Sequence, residues 1–362
     1  MKPHFTSPQT ALEAQAAALK LAFGPVVFQC VRIAWKSGLL SSLEQSEGID
    51  VATLAKRHDL SEYAVSVLLE TCLSAQVVAL EDEKYTLTKV GYFVLHDPMS
   101  RINFDFIHDV CYLGLHALED SLRQGRPLGL KTLGDWPTLY EGMTQLPEPA
   151  KTSWYAFDHL YSDSAFASIL PLVLGSAPRR LLDVGANTGK WVLHCLRHSS
   201  DVHVTLVDLP RQLGVARSNL DAAGLGARAN YAPMDILDES VPFPPGQDVV
   251  WMSQFLSCFS MENIRSIFRR ARAALAPNAR IFVLDTFWDR QQHEISAYCL
   301  INSSPYFTAI ASGNSKMYQS RDYIRCADAE GLSLIDVRDG VGICHSLLIF
   351  EARPDAPQGL QA

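Results

Sequence analysis

No two of the eight cysteines form a CxxC pair; they are scattered from Cys30 to Cys344. That dispersion gives no zinc site and no disulfide framework, and reads as buried free thiols in a reducing cytoplasm. No uninterrupted apolar segment is of membrane-spanning length, and Met1–Lys20 lacks the apolar core of a signal peptide. Positive charge is short as well. With 31 Lys and Arg against 39 Asp and Glu, the net charge of −8 handicaps a nucleic-acid partner. Internal repeats and low-complexity blocks are also missing. What is present is a chain of 362 residues, 48% hydrophobic and 19% charged, long enough for two domains with sizeable cores.

The most informative stretch is Leu181–Trp191. Leu181, Leu182 and Val184 form a short apolar run that reads as a strand buried on both faces. Asp183 interrupts it near its end, Gly185 and Gly189 follow, and a helical pattern begins at Trp191. Strand, glycine loop and helix open a doubly wound α/β domain, whose ligand lies outside the carboxyl ends of the strands. A second strand over Val202–Val207 ends in Asp208, an acid placed to accept both hydroxyls of a ribose. The loop Gly185-x-Asn187-x-Gly189 is not the GxGxxG of a dinucleotide site. Asp183, just ahead of it, would repel a diphosphate yet suit an ammonium group.

These features, with Val207-Asp208-Leu209-Pro210, Met234-Asp235-Ile236-Leu237 and Asp248–Met252 running into Phe255–Ser260, resemble a class I S-adenosylmethionine-dependent methyltransferase. With the N-terminal part included, the chain is similar to the small-molecule O-methyltransferases of the plant caffeate and hydroxyindole type. The resemblance implies a Rossmann-like seven-stranded α/β domain over 179–353 with S-adenosyl-L-methionine as cofactor. It implies contacts from Asp183, Gly185, Asn187 and Gly189 at the first turn. Asp208 and Leu209 follow the second strand, with the acid on ribose, and Asp235 and Ile236 come next, with the acid on the adenine amino group. Ser253 and Gln254 end the fourth strand.

The N-terminal region reads as mainly α. Ala11–Phe23 and Val26–Leu43 carry helical spacing, with Gly24-Pro25 expected to break one helix from the next. Asp50–Ala75 reads helix, turn, helix, with Ser61 as N-cap, and Val77–Leu87 supplies two short strands. The result is a winged-helix pattern over 10–100. Its candidate recognition helix, from Ser61, has no Lys or Arg at its start, and its wing carries Glu81, Asp82 and Glu83, so DNA binding is disfavoured. In the family this module is a dimerisation domain that covers the partner's active site, and the apolar surface of Val26–Leu43 points to a homodimer. The expected partners are a second copy and a small molecule, with no nucleic acid and no membrane.

Residues 101–178 read as a helical linker with substrate-cavity helices. Trp154 and Phe157, and Tyr306 from the later helical region 291–317, are the candidate substrate contacts, although an aromatic core is the plainer reading of each. Arg265, Arg269, Arg270 and Arg272 read as one solvated helix face. Leu332–Arg338 and Ser346–Ala352 look like a closing hairpin, and Pro354–Ala362 like a frayed tail.

One departure from the family stands out. Alignment through Leu256 and Phe259 places Ser257 where the family has its histidine base and Cys258 where an acid follows. The glutamate that supports the histidine, expected near Asn314–Met317, is not evident. Three readings follow. The acceptor could be nucleophilic without deprotonation, as an amine, a carboxylate, an acidic phenol or an enolisable carbon would be, with transfer driven by positioning. A relocated base could act, with His159, His293 and His345 the candidates. Or the fold could bind the cofactor as a non-catalytic regulator. The expected activity is methyl transfer to a small, aromatic or acidic metabolite, on O, N or C, without a metal.

Overall fold

The structure is a computed structural model that describes residue 5 and residues 8–354, with 162 and 163 described by backbone only. The expected frayed tail therefore lies almost wholly outside the described residues. The chain divides into two compact units, Phe5–His108 and the part from Asp109 onward.

The first unit opens with α1 (Ala11–Lys36), started by a capping box. The Thr10 hydroxyl accepts from the Glu13 amide and the Glu13 carboxylate accepts from the Thr10 amide at 2.8 Å. The expected break at Gly24-Pro25 does not occur: α1 continues through Pro25. Proline withdraws one helical N–H, and the Ala- and Leu-rich flanks carry the helix across it. The interruption comes instead at Gly38, with φ +84°, before α2 (Leu39–Glu44). As a single 26-residue helix, α1 is long and apolar enough by length and composition to cross a membrane, with a mean hydropathy of 1.5 over 18 residues. Glu13, Lys20, Gln29 and Arg32 interrupt it, so it is not an uninterrupted apolar segment.

Next come α3 (Val51–His58), α4 (Glu62–Ser74), the antiparallel pair β1 (Val78–Glu81) and β2 (Lys84–Leu87), α5 (Lys89–His96) and α6 (Pro98–Phe106). Ser61 caps α4 by accepting from the Ala64 amide at 3.1 Å. Asp82 and Glu83 both take positive φ at the hairpin turn, as a tight two-residue connection requires. Val31, Ala34 and Trp35 of α1 pack with Leu40, Leu54 and Leu69 to form this unit's core.

In the second unit, α7 (Leu118–Gln124), the short α8 (Leu139–Gly142) and the long α9 (Ala150–Val173) precede a seven-stranded sheet. Its strands are β3 (Arg180–Val184), β4 (His203–Asp208), β5 (Ala229–Pro233), β6 (Gln247–Ser253), β7 (Leu275–Asp285), β8 (Leu332–Val341) and β9 (His345–Ala352). The helices between them are α10 (Lys190–His198), α11 (Pro210–Ala222), α12 (Met261–Ala274), α13 (Glu294–Tyr306) and α14 (Ser320–Ala329). The spatial order is β5-β4-β3-β6-β7-β9-β8, parallel except for the two pairings of β9. Apolar clusters cover both faces, which is why β3 and β6 read as continuous apolar runs. Strand order reverses between β3 and β6, so a crevice opens there at the carboxyl ends.

The arginines of α12 are only in part a solvated face: Arg265 and Arg269 are exposed, and Arg270 is not. Arg265 and Arg269 both bond to Glu330, and Arg270 is buried. The hydrophilic side of this helix meets other parts of the chain, which periodicity cannot distinguish from water.

Candidate active site

Two glycines shape the turn after β3, each for a different reason. Gly185 has φ +80°, and a Cβ there would lie 2.2 Å from the Phe255 ring. Gly189 has φ +78° and starts α10; its Cβ would meet Ala216 at 3.2 Å. Between them Asn187, also left-handed at φ +48°, donates its amide to Asp208 Oδ2 at 2.8 Å and its Nδ2 to Asp158 Oδ2 at 3.3 Å. The turn is therefore tied to the end of β4 and to α9. The other Asp208 oxygen accepts from the Leu209 amide at 2.7 Å. Burial raises the Asp208 carboxyl to about 6 despite these two amides. Burial, with Asp208 nearby, drives Asp183 well above the ordinary carboxylate range.

Asp235, after β5, accepts from the Leu237 amide at 2.9 Å. The Arg270 guanidinium holds the same loop from below, donating to the carbonyls of Ile236, Asp238 and Val241 and lying over the Phe243 ring. At the end of β6, Gln254 is left-handed at φ +47° and donates its amide to Leu284 at 2.8 Å.

These strand ends enclose a cavity of about 530 Å³, a size suited to small-molecule ligands. Asp183, Gly185 and Asn187 line it from the first turn, and Asp208 with Leu209 from the second strand. Asp235 with Ile236 and Ser253 with Gln254 complete that side. Gly189 does not line the cavity; it lets α10 pack against α11 instead. Asp183 Oδ2, Asn187 Oδ1 and Ser253 Oγ are buried without a partner in the protein. Unsatisfied buried acceptors around a cavity call for a ligand carrying hydroxyl and amine donors, which a nucleoside with an amino-acid arm supplies. The residues present thus fit S-adenosyl-L-methionine. Trp191 and Trp251 stack at 4.1 Å along the same wall.

The other side of the cavity is built from α8, α9, the turn after β6 and residues 312–314. Trp154 lines it and donates Nε1 to the Tyr306 hydroxyl at 2.7 Å, with Tyr306 buried behind. Phe157 is not a lining residue; its ring meets Tyr161 at 5.1 Å. Tyr140, Met143 and Asp158 line this side without having been singled out from the sequence. Asp158 was within reach of sequence reasoning, as the only acid in the aromatic stretch from Trp154 to Tyr161.

At the position of the family's base, Ser257 is buried outside the cavity, with its amide directed at Asp285. Cys258 is the residue that faces the cavity, and burial pushes its thiol up to about 12. Of the three histidines, His159 alone lines the cavity. Its Nδ1 lies 2.9 Å from Lys190 Nζ and its Nε2 4.0 Å from Asp158. His293 is exposed just before α13. His345 is buried in β9 and pushed down to about 4, away from the cavity. Among the described residues, no three His, Cys, Asp or Glu are grouped as a metal site.

Two family models match the chain: a Dimerisation2-like domain over residues 15–85 and a methyltransferase domain over residues 182–281. The chain thus carries a methyltransferase domain, and its curated relatives and structural neighbours support an S-adenosylmethionine-dependent methyltransferase. Its cofactor is S-adenosyl-L-methionine and its activity is methyl transfer to a small molecule. The methyltransferase is 22% identical to the L-tyrosine C(3)-methyltransferase of Streptomyces lavendulae, over 83% of this chain and 82% of that protein. It is 27% identical to the 3-amino-4-hydroxybenzoate 4-O-methyltransferase of Streptomyces cremeus, over 72% and 71%. Among solved structures, the apo form of the S-adenosylmethionine-dependent methyltransferase SibL superposes with a TM-score of 0.69. Identity there is 23%, over 94% of this chain and 99% of that one, which supports the fold.

Proposed function

We propose that the methyltransferase acts on a small aromatic acceptor by positioning it, without a histidine in place of the family's base, and that it works as a cytoplasmic homodimer. The observation that carries this is the site's geometry: Ser257, at the position of the family's base, is buried outside the cavity, and Cys258 beside it lines the wall. S-adenosyl-L-methionine supplies a methyl group already activated by its positive sulfur. Asp208 is suited to the ribose diol, Asp235 to the adenine amino group, and the orphaned Asp183 Oδ2 to the ammonium of the amino-acid arm. Trp154, Phe255 and Phe259 give the acceptor an apolar wall, and orientation alone can supply several kcal/mol of the barrier. All eight cysteines are free, in keeping with a reducing compartment.

A screen with methyl-labelled cofactor across aromatic phenols, amines and acids would find the acceptor. With it, Ser257→Ala should cost less than about tenfold in turnover, whereas an acid–base residue contributes about 10²–10⁴-fold. Reintroducing the family's residue as Ser257→His should not help, because that side chain is packed away from the cavity. The acid limb of the rate profile should follow the acceptor's own pKa and move when the acceptor changes. A second reading is favoured by one observation, the presence of His159 in the cavity wall. If His159→Asn loses about a hundredfold and a fixed pKa persists across acceptors, a relocated histidine base is at work.

A further inference from the structure

Gln212 occupies a position where an apolar side chain would be expected. It stands in the first turn of α11, is 4% exposed, and is followed by Leu213 and Ala216, which pack into the apolar cluster over one face of the sheet. A Leu or Met would fill such a position with no polar group to satisfy. The amide nitrogen has a weak partner: Nε2 donates to Met143 Sδ at 3.6 Å. A thioether sulfur accepts and cannot donate, so this contact fixes which end of the amide is which. Oε1 is the end left over, buried with no hydrogen-bond partner in the protein. Gln212 and Met143 both line the cavity. An orphaned carbonyl in a cavity wall is costly to the protein alone and is satisfied by a ligand that brings a donor.

Position narrows the donor. Gln212 is the third residue of α11, whose N-cap, Leu209, directly follows Asp208. Side chains on a helix lean toward its N-terminus, so the amide leans toward the Asp208 end. Asp208 holds its two oxygens on the Asn187 and Leu209 amides, at 2.8 and 2.7 Å, which fixes the direction of the lone pairs that remain. Asp235, suited to the adenine, belongs to a different strand end, after β5. A ribose presents two hydroxyl donors on neighbouring carbons, and Gln212 supplies an acceptor placed independently of Asp208. Resting on the assignment of Asp208 to the ribose above, we propose that Gln212 is a further cofactor-binding residue. Its Oε1 accepts a hydrogen bond from one ribose hydroxyl, and Met143 Sδ holds the amide in that orientation.

The test is calorimetric titration of the full-length protein with S-adenosylhomocysteine and with its 2′-deoxy and 3′-deoxy analogues. Gln212→Met, similar in length and without the carbonyl, should weaken S-adenosylhomocysteine about tenfold. Against the analogue that lacks the hydroxyl held by Gln212, the same substitution should change affinity less than about twofold. Against the other analogue the loss of about tenfold should persist. Gln212→Asn, polar but one methylene shorter, should repeat the pattern and decides the matter alone if the Met variant folds poorly. A general loosening of the wall would lower all three affinities together. That result, or no loss for S-adenosylhomocysteine in either variant, would overturn the proposal. A parent that binds both deoxy analogues as tightly as S-adenosylhomocysteine, with Asp208→Ala costing nothing, would instead overturn the ribose reading beneath it.

Discussion

Two residues that touch no acceptor make predictions of their own. Arg270 spends its donors on three carbonyls of the loop that follows Asp235, so it sets where that carboxylate, proposed to meet adenine, is held. Arg270→Met should weaken S-adenosylhomocysteine about tenfold and shrink its advantage over S-inosylhomocysteine, which lacks the amino group. Asp208→Ala, at the ribose, should cost about 1–3 kcal/mol with either base, so comparing the two variants by calorimetry separates loop placement from general loss. His345 concerns stability. Its pKa falls from the ordinary 6.5 to about 4 because both ring nitrogens are buried without a partner. The folded state then binds fewer protons than the unfolded one, and stability present above pH 6.5 is lost as pH falls toward 4, by up to about 3 kcal/mol. Asp208 and Asp285, raised to about 6, act the other way and gain stability over the same window. His345→Leu should therefore be neutral or stabilising at pH 7 and raise the melting temperature above the parent's increasingly toward pH 5. At this scale the sequence was most legible where covalent neighbours define the role: Asp183, Asp208 and Asp235 sit at strand ends that apolar runs announce. Ser257 and Cys258 lie in a single 3₁₀ turn, too short to show a period, so nothing in the sequence tells which of them faces the cavity.

Elements were legible where apolar spacing and breakers agree, as in β3, β4 and the β1–β2 hairpin. They diverged at Gly24-Pro25, where a dipeptide that usually ends a helix sits inside α1. Breaker chemistry is local, whereas the continuity of α1 rests on the helix-forming residues on both sides. Pro25 still forfeits a backbone hydrogen bond, so Pro25→Ala should raise stability by about 1–3 kcal/mol in denaturant titrations without moving cofactor affinity. A destabilising result would mean that the proline ring is itself a contact surface. The α12 arginines teach the complementary lesson. The stripe is polar, as its spacing indicates, but its partners, Glu330 and the loop after Asp235, come from distant parts of the chain that periodicity does not register.

At the scale of the whole molecule, the N-terminal half of α1 leaves apolar side chains exposed around the helix, and what covers them bears on the assembly. Leu12, Leu19, Leu21, Phe23 and Val26 are each more than half exposed. Burying one such side chain is worth about 1.5–3 kcal/mol, so together they could offset the cost of bringing two chains together. The match of residues 15–85 to a Dimerisation2-like domain suggests a second copy as the cover, and the same helix has the length and composition to meet a bilayer as well. The two outcomes separate cleanly. Light scattering at micromolar concentration should give a dimer, and Leu21→Glu with Phe23→Glu should give a monomer that no longer gains thermal stability with concentration. Co-sedimentation with neutral phosphatidylcholine vesicles should leave the parent in the supernatant, because the dimer consumes the apolar face. A parent that stays monomeric in buffer and pellets with vesicles would replace the homodimer by a membrane-surface role for α1.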